Sequence, residues 1–212
     1  MKLPRVYPIV DLACFAAALD PMRAVIRFTT DILTGGATVI QYRDKSGDAS
    51  RMLSCARELR RATLDRAALI INDRLDICLA ADADGVHLGQ DDLTPQAART
   101  TFDRVKSARN RWIGFSTHNL AQVQEADAMP VDYIAVGPVF ATTSKANPDP
   151  VIGLDGVRRA RAATMKPLVA IGGITRKNCL KILDAGADAV AVISDLLESP
   201  VKAVEEFMRI LG

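Results

Sequence analysis

Gln41, Arg43 and Lys45 place an amide and two cations at every second position, and alternate side chains of an extended chain point the same way. A guanidinium and an ammonium aimed at one point suit a polyanion such as a diphosphate, which they would hold by charge-assisted hydrogen bonds. On residue type alone the alternative is a surface loop with incidental charges. Asp73 and Asp92 are two separated carboxylates which, beside a diphosphate, make a ligand set for Mg²⁺, an ion that keeps several waters. Without a metal they read as a turn residue and a helix cap, and Asp91-Asp92 before Thr94-Pro95 fits the second role well. Gly172 and Gly173 expose backbone N–H groups ahead of a helical pattern, and Ile193-Ser194 precede another turn; together they form either a phosphate cradle or a pair of tight turns. Of the two histidines, His87 lies within an apolar run and reads as structural. His118 follows Ser116-Thr117 at a helix start, as a cap neighbour or a site residue. Two separated histidines and four cysteines without a CxxC pair do not support zinc.

These residues share one kind of position. Each cluster lies just past the carboxyl end of a short run rich in Val, Ile and Leu, and the runs predict eight strands: Val6–Val10, Thr38–Gln41, Ala68–Ile71, Gly85–Leu88, Trp112–Phe115, Tyr133–Val136, Leu168–Ile171 and Ala189–Ile193. Strands apolar on both faces belong to a parallel sheet covered on both sides. Helical spacing fills the gaps. Met52, Leu53, Ala56, Leu59 and Leu64 form one apolar side, with Arg51, Arg57, Glu58, Arg60 and Arg61 as a solvated face. Ile174, Cys179, Ile182 and Leu183 mark a second helix from Thr175 to Ala185, stopped by Gly186. A weak repeat sets a polar residue before each even-numbered strand, at Thr38, Asp84, Asp132 and Asp188. Strand–helix alternation with this pairwise repeat predicts a single-domain (βα)8 TIM barrel over residues 1–212, whose strand ends would bring the clusters together on one face. The longest predicted loop, Gly137 to Gly153, carries Pro138, Pro148 and Pro150 and reads as a flap over that face.

Composition narrows the function class. A formal charge of +2 over 212 residues is too balanced for nucleic acid as principal partner, and no stretch is long and apolar enough for a membrane span. Cys14, Cys55, Cys78 and Cys179 each lie in or beside an apolar stretch and read as buried thiols, which suits a reducing cytoplasm. The start, Met1-Lys2-Leu3-Pro4-Arg5, lacks the pattern of a secretory signal, so the expected location is cytoplasmic. Oligomeric state is left open, a homo-oligomer included.

Six segments, in order and together covering nearly the whole chain, resemble the thiamine phosphate synthase family: Gln41 to Lys45, Asn72 to Arg74, Gly85 to Asp92, Gly114 to His118, Asp132 to Lys145, and Ala170 to Ile174. The resemblance implies a barrel transferase that joins a pyrimidine diphosphate, 4-amino-2-methyl-5-(diphosphooxymethyl)pyrimidine, to a carboxythiazole phosphate. It implies that Gln41, Tyr42, Arg43, Asp44, Lys45, Asn72, Ser116 and Lys145 meet the pyrimidine diphosphate, with Arg43, Lys45, Ser116 and Lys145 catalytic. Asp73 and Asp92 would ligate Mg²⁺, and Thr142, Thr143, Ser144, Gly173, Ile193 and Ser194 would hold the thiazole phosphate. Two features depart from the family pattern: a longer, basic stretch with Arg104, Lys106, Arg109 and Arg111, and Ser144 where relatives often carry threonine. A thiazole tautomerase of the same superfamily would instead shuttle a proton through a histidine near His118, and its relatives generally lack the Gln-x-Arg-x-Lys cluster. A catalytically silent pathway sensor would not need Arg43, Lys45, Asp73 and Asp92 intact.

Overall fold

The computed structural model describes residues 3–105, 110–142 and 149–212. Eight strands alternate with helices: β1 (Val6–Asp11), α1 (Pro21–Thr34), β2 (Val39–Arg43), α2 (Ala49–Thr63), β3 (Ala68–Asn72), α3 (Leu75–Ala80), β4 (Gly85–Leu88), α4 (Pro95–Arg104), β5 (Trp112–Thr117), α5 (Leu120–Asp127), β6 (Tyr133–Val136), α6 (Gly153–Ala163), β7 (Leu168–Ile171), α7 (Cys179–Asp184), β8 (Ala189–Val192) and α8 (Pro200–Leu211). Every strand is parallel to its neighbours, and β8 pairs with β1 through Val6 and Val190, closing a TIM barrel. No helix among the described residues is long and apolar enough to cross a membrane.

Alternation along the strands divides the apolar residues into two cores. Val39, Ile70, Val169, Ala189 and Ala191 fill the barrel together with Tyr7 and Tyr133, whereas Ile40, Leu69, Ile71, Val86 and Ile113 face the helices. Helix starts are fixed by side-chain caps. Asp20, Asp48, Thr94 and Asn119 accept from the N–H of Arg23, Arg51, Ala97 and Gln122 at 3.0, 2.9, 3.3 and 3.0 Å.

The repeated polar residue before the even strands has a structural role at three of its four positions. Asp84 Oδ2 accepts from Leu69 N and Arg60, Asp132 Oδ2 from Ile113 N and Arg99, and Asp188 Oδ2 from Leu168 N and Arg161, at 2.6–2.9 Å. Each carboxylate therefore latches the start of the preceding odd strand and the helix that follows an even strand. Thr38 occupies the place in the first unit.

Several boundaries differ from the sequence expectation. Strands β2, β3 and β5 run on through Arg43, Asn72 and Thr117, so residues expected in loops belong to the sheet, while β8 stops at Val192. Helix α7 begins at Cys179 rather than near Thr175, although Thr175 O accepts from Cys179 N at 3.0 Å and the N–H groups of Thr175 and Arg176 are capped by Asn178 Oδ1 and Asp195 Oδ2, each at 2.8 Å. Arg60 is not part of a solvated face; its side chain is 12% exposed and tied to Asp84. Leu64 lies beyond α2 and is exposed, and Cys14 is exposed while Cys55, Cys78 and Cys179 are buried. Of the basic stretch, Arg111 is buried against Asp82 (2.7 Å) and the Ala83 carbonyl (3.2 Å), where it anchors the approach to β5; Lys106 and Arg109 lie outside the described residues. The expected flap, Gly137 to Gly153, also falls partly outside them, at residues 143–148.

Candidate active site

The carboxyl ends of the strands surround an open cleft. Gln41, Arg43, Asn72, Ser116, Thr142, Gly173, Ile193 and Ser194 all line it. Thr143, Ser144 and Lys145 lie outside the described residues.

On one side β2 turns Gln41 and Arg43 inward. Arg43 forms an ion pair with Asp11, a buried carboxylate at the end of β1 that also accepts from Ala13 N at 3.1 Å. Asp11 thereby fixes the guanidinium at the rim of the cleft. Tyr42 and Asp44 are not brought to the cleft. Tyr42 falls on the opposite face of β2, fully buried in the helix-facing core, and its hydroxyl reaches Asp44 Oδ2 at 3.4 Å. Asp44 is buried too; it accepts from Ser46 N at 2.8 Å and faces Arg51 at 3.9 Å, so it shapes the loop after β2.

Lys45 projects past the strand end, half-exposed, and pairs with Asp73. Asp73 has a positive φ of 62°, uncommon for a residue with a side chain, and its N–H bonds to the His87 carbonyl at 2.7 Å. The carboxyls of Asp73 and Asp92 adjoin each other. Burial pushes the Asp92 carboxyl up from the ordinary range, and the neighbouring Asp73 carboxyl pushes the same way. Two adjoining carboxylates supply the oxygen donors a hard divalent cation takes, and Lys45 pairs with one of them. Asp92 is not a helix cap, since Thr94 caps α4; its Oδ2 accepts from Gly89 N at 2.7 Å.

Across the cleft, Gly172 (φ 100°) and Gly173 (φ 63°) follow β7. A Cβ on Gly172 would lie 2.5 Å from Pro138 Cβ, and one on Gly173 2.5 Å from the Ala141 carbonyl oxygen. Only glycine allows the β6–α6 loop to approach this closely. Val139 N and Phe140 N donate to Ile171 O and Gly172 O at 2.8 and 3.0 Å, binding the two loops into one wall. Asn178 Nδ2 holds Gly173 O at 3.0 Å, and Arg176 bridges Asp195 and Glu206, so the segments after β7 and β8 are fastened together. Position among strand ends reveals these glycines; Asn178 and Arg176 carry no such signal.

The floor of the cleft is polar, which the sequence does not show. Tyr7, His87 and Tyr133 point into the barrel and join Gln41 to Ser116 through side-chain hydrogen bonds. Burial lowers the His87 imidazole to about 4, the charge of Asp92 pulling the other way. His118 lines the same cleft. Its Nδ1 lies 2.9 Å from the Gly137 carbonyl, which only accepts, and 3.3 Å from Asp149 Oδ2.

The model of the family described as thiamine monophosphate synthase matches residues 7–196. The chain belongs to the thiamine monophosphate synthase family. It is 51% identical over 212 residues to a thiamine-phosphate synthase from Koribacter versatilis, covering 100% of this chain and 97% of that one. A thiamine-phosphate synthase from Chloroflexus aurantiacus is 45% identical over 173 residues, 81% of this chain and 76% of the relative. Among solved structures, a thiamine phosphate pyrophosphorylase from Pyrococcus furiosus superposes with a TM-score of 0.82 at 34% identity, covering 98% of this chain and 95% of that one. Membership of the thiamine monophosphate synthase family makes the chain a transferase.

Proposed function

We propose that the chain couples 4-amino-2-methyl-5-(diphosphooxymethyl)pyrimidine with a thiazole phosphate to give thiamine phosphate and pyrophosphate, with carbon dioxide as a further product when the thiazole is carboxylated. One observation carries this reading. Gln41, Arg43 and Asn72 line one side of a cleft, with Lys45 and the acids Asp73 and Asp92 just beyond the lining at the same strand ends, and Gly172 and Gly173 line the side at β7. Two phosphorylated substrates can sit there with their reactive ends toward each other. Family membership and the names of the relatives support the same assignment.

In this reading Gln41, Arg43, Lys45, Asn72 and Ser116 hold the pyrimidine diphosphate, joined by Lys145 on the strength of its motif. Asp73 and Asp92 would hold Mg²⁺, whose charge offsets that of pyrophosphate as it leaves. Thr142, Gly173, Ile193 and Ser194 hold the thiazole phosphate, with Thr143 and Ser144 added by motif. The bond from the methylene carbon to the diphosphate oxygen breaks first, and its electron pair departs with pyrophosphate. Arg43 and Lys45 stabilise the growing charge on the leaving group. The aminopyrimidine delocalises the methylene cation, and the thiazole nitrogen, anchored through its phosphate, donates its lone pair to that carbon. No protein nucleophile takes part; the residues supply electrostatics and positioning. The test is the reaction itself. With both substrates and Mg²⁺ the protein should release pyrophosphate and thiamine phosphate in equal amounts, and hydrolysis of either substrate without coupling would overturn the reading.

A further inference from the structure

The polar chain under the cleft has a direction. Gln41 Nε2 donates to the Tyr7 hydroxyl at 3.2 Å, the Tyr7 and Tyr133 hydroxyls lie 2.7 Å apart, His87 Nδ1 is 3.0 Å from the Tyr133 hydroxyl, and His87 Nε2 is 2.8 Å from Ser116 Oγ. Each hydroxyl carries one proton and two lone pairs, and a neutral imidazole has one donor and one acceptor nitrogen; among the possible orders, only one leaves neither buried tyrosine proton without an acceptor along this chain. With the Gln41 amide N–H donating, Tyr7 donates to Tyr133 and Tyr133 donates to His87 Nδ1. The imidazole proton then sits on Nε2 and donates to Ser116 Oγ. That oxygen is satisfied as an acceptor, and the Ser116 proton is left for the cleft, which Ser116 lines. The reverse order would have Ser116 donate to the ring and turn lone pairs toward a bound anion.

Gly114 supplies an independent sign that the junction matters. A Cβ there would fall 2.3 Å from the Tyr133 hydroxyl oxygen and 2.5 Å from His87 Nδ1, yet its φ is not in the left-handed region. Glycine here meets a demand of space, and the space is filled by the bond between Tyr133 and His87.

We propose that Tyr133 is a positioning residue which, through His87, holds the Ser116 hydroxyl as a hydrogen-bond donor to a phosphoryl oxygen of the diphosphate. This rests on the placement of the pyrimidine diphosphate at Ser116. A donor fixed in advance toward an oxygen that gains charge acts on the bond-breaking step more than on binding. Tyr133 lies in the cleft floor, and its hydroxyl is engaged by Tyr7 and His87; removing that hydroxyl frees the imidazole to take the other tautomer and Ser116 to turn inward.

The experiment is a double-mutant cycle on the full chain with both substrates and Mg²⁺. Tyr133→Phe should lower kcat by about tenfold, the scale of one hydrogen bond, with the KM for the thiazole phosphate unchanged. In a Ser116→Ala background the same substitution should cost less than about twofold, because the group it orients is gone. An equal tenfold loss in both backgrounds would overturn the inference while leaving the diphosphate site standing. A Ser116→Ala protein with unaltered kcat and KM for the pyrimidine diphosphate would overturn both. Should Tyr133→Phe fail to fold, His87→Gln and His87→Leu decide the matter. The glutamine amide can stand in for Nε2–H, so it should keep at least about fivefold more activity than leucine; equal losses in two folded proteins would contradict the chain.

Discussion

At the residue scale, the paired acids give the sharpest expectation. Asp92→Asn keeps an oxygen to accept from Gly89 N while losing the charge, and Asp73→Asn does the same beside Lys45. If the two acids share one Mg²⁺ as proposed, both variants should shift the Mg²⁺ activation curve to concentrations about tenfold or more higher, each losing a hard anionic ligand. A titration in which only one variant responds would break the shared site. His118 is expected to matter far less. Its Nδ1 is tied to the Gly137 carbonyl, an anchoring contact for the loop after β6. His118→Gln should therefore retain coupling activity within about tenfold, or roughly 1.4 kcal/mol of barrier. A loss of several orders of magnitude, together with thiazole isomerisation by the unaltered protein without Mg²⁺, would favour a proton-shuttling tautomerase. The inward residues of β2 were legible because period-2 alternation sends Gln41 and Arg43 one way. The same rule sends Tyr42 to the helices, and treating the run from Gln41 to Lys45 as one cluster missed that.

At the scale of elements, the latch carboxylates were visible as a repeat of type but not of role. Their partners are distant in sequence; Asp132, for example, joins Ile113 N and Arg99. Asp132→Ala should lower stability by about 2 kcal/mol, since it orphans a strand N–H and removes the carboxylate partner of Arg99, which keeps the Arg111 and Pro130 carbonyls, with kcat preserved in the folded fraction. Denaturant unfolding checks this, and an unchanged midpoint would reduce the latch to a surface ion pair. The segment opening at Thr175 is a capped turn ahead of the helix: Thr175 O accepts from Cys179 N, while Asn178 and Asp195 accept from the N–H groups of Thr175 and Arg176, bonds of which apolar spacing carries no record. Arg60 misleads because charge predicts exposure until a carboxylate is brought within reach.

For the whole molecule, eight apolar runs with polar clusters at their ends pointed to a parallel sheet with every carboxyl end on one face, and the eightfold alternation with its pairwise repeat pointed to closure into the barrel observed. The polar floor was hidden. Tyr7 and Tyr133 read as apolar bulk in strands, and their hydroxyl contact spans 126 positions of sequence. Asp11 was equally hidden, because its partner Arg43 lies on another strand. That pair also decides how the central claim, two anion sites facing each other across one cleft, should be probed. Arg43→Ala would leave the buried Asp11 uncompensated and destabilise the fold, so half-exposed Lys45 is the cleaner probe. The decisive measurement is steady-state kinetics of Lys45→Ala and Ser194→Ala with each substrate varied in turn. Lys45→Ala should lower kcat/KM for the pyrimidine diphosphate by about a hundredfold and leave the KM for the thiazole phosphate within about twofold, and Ser194→Ala should raise only the thiazole phosphate KM. If both variants weaken the same substrate, or neither substrate is weakened by either, the two-sided cleft is contradicted.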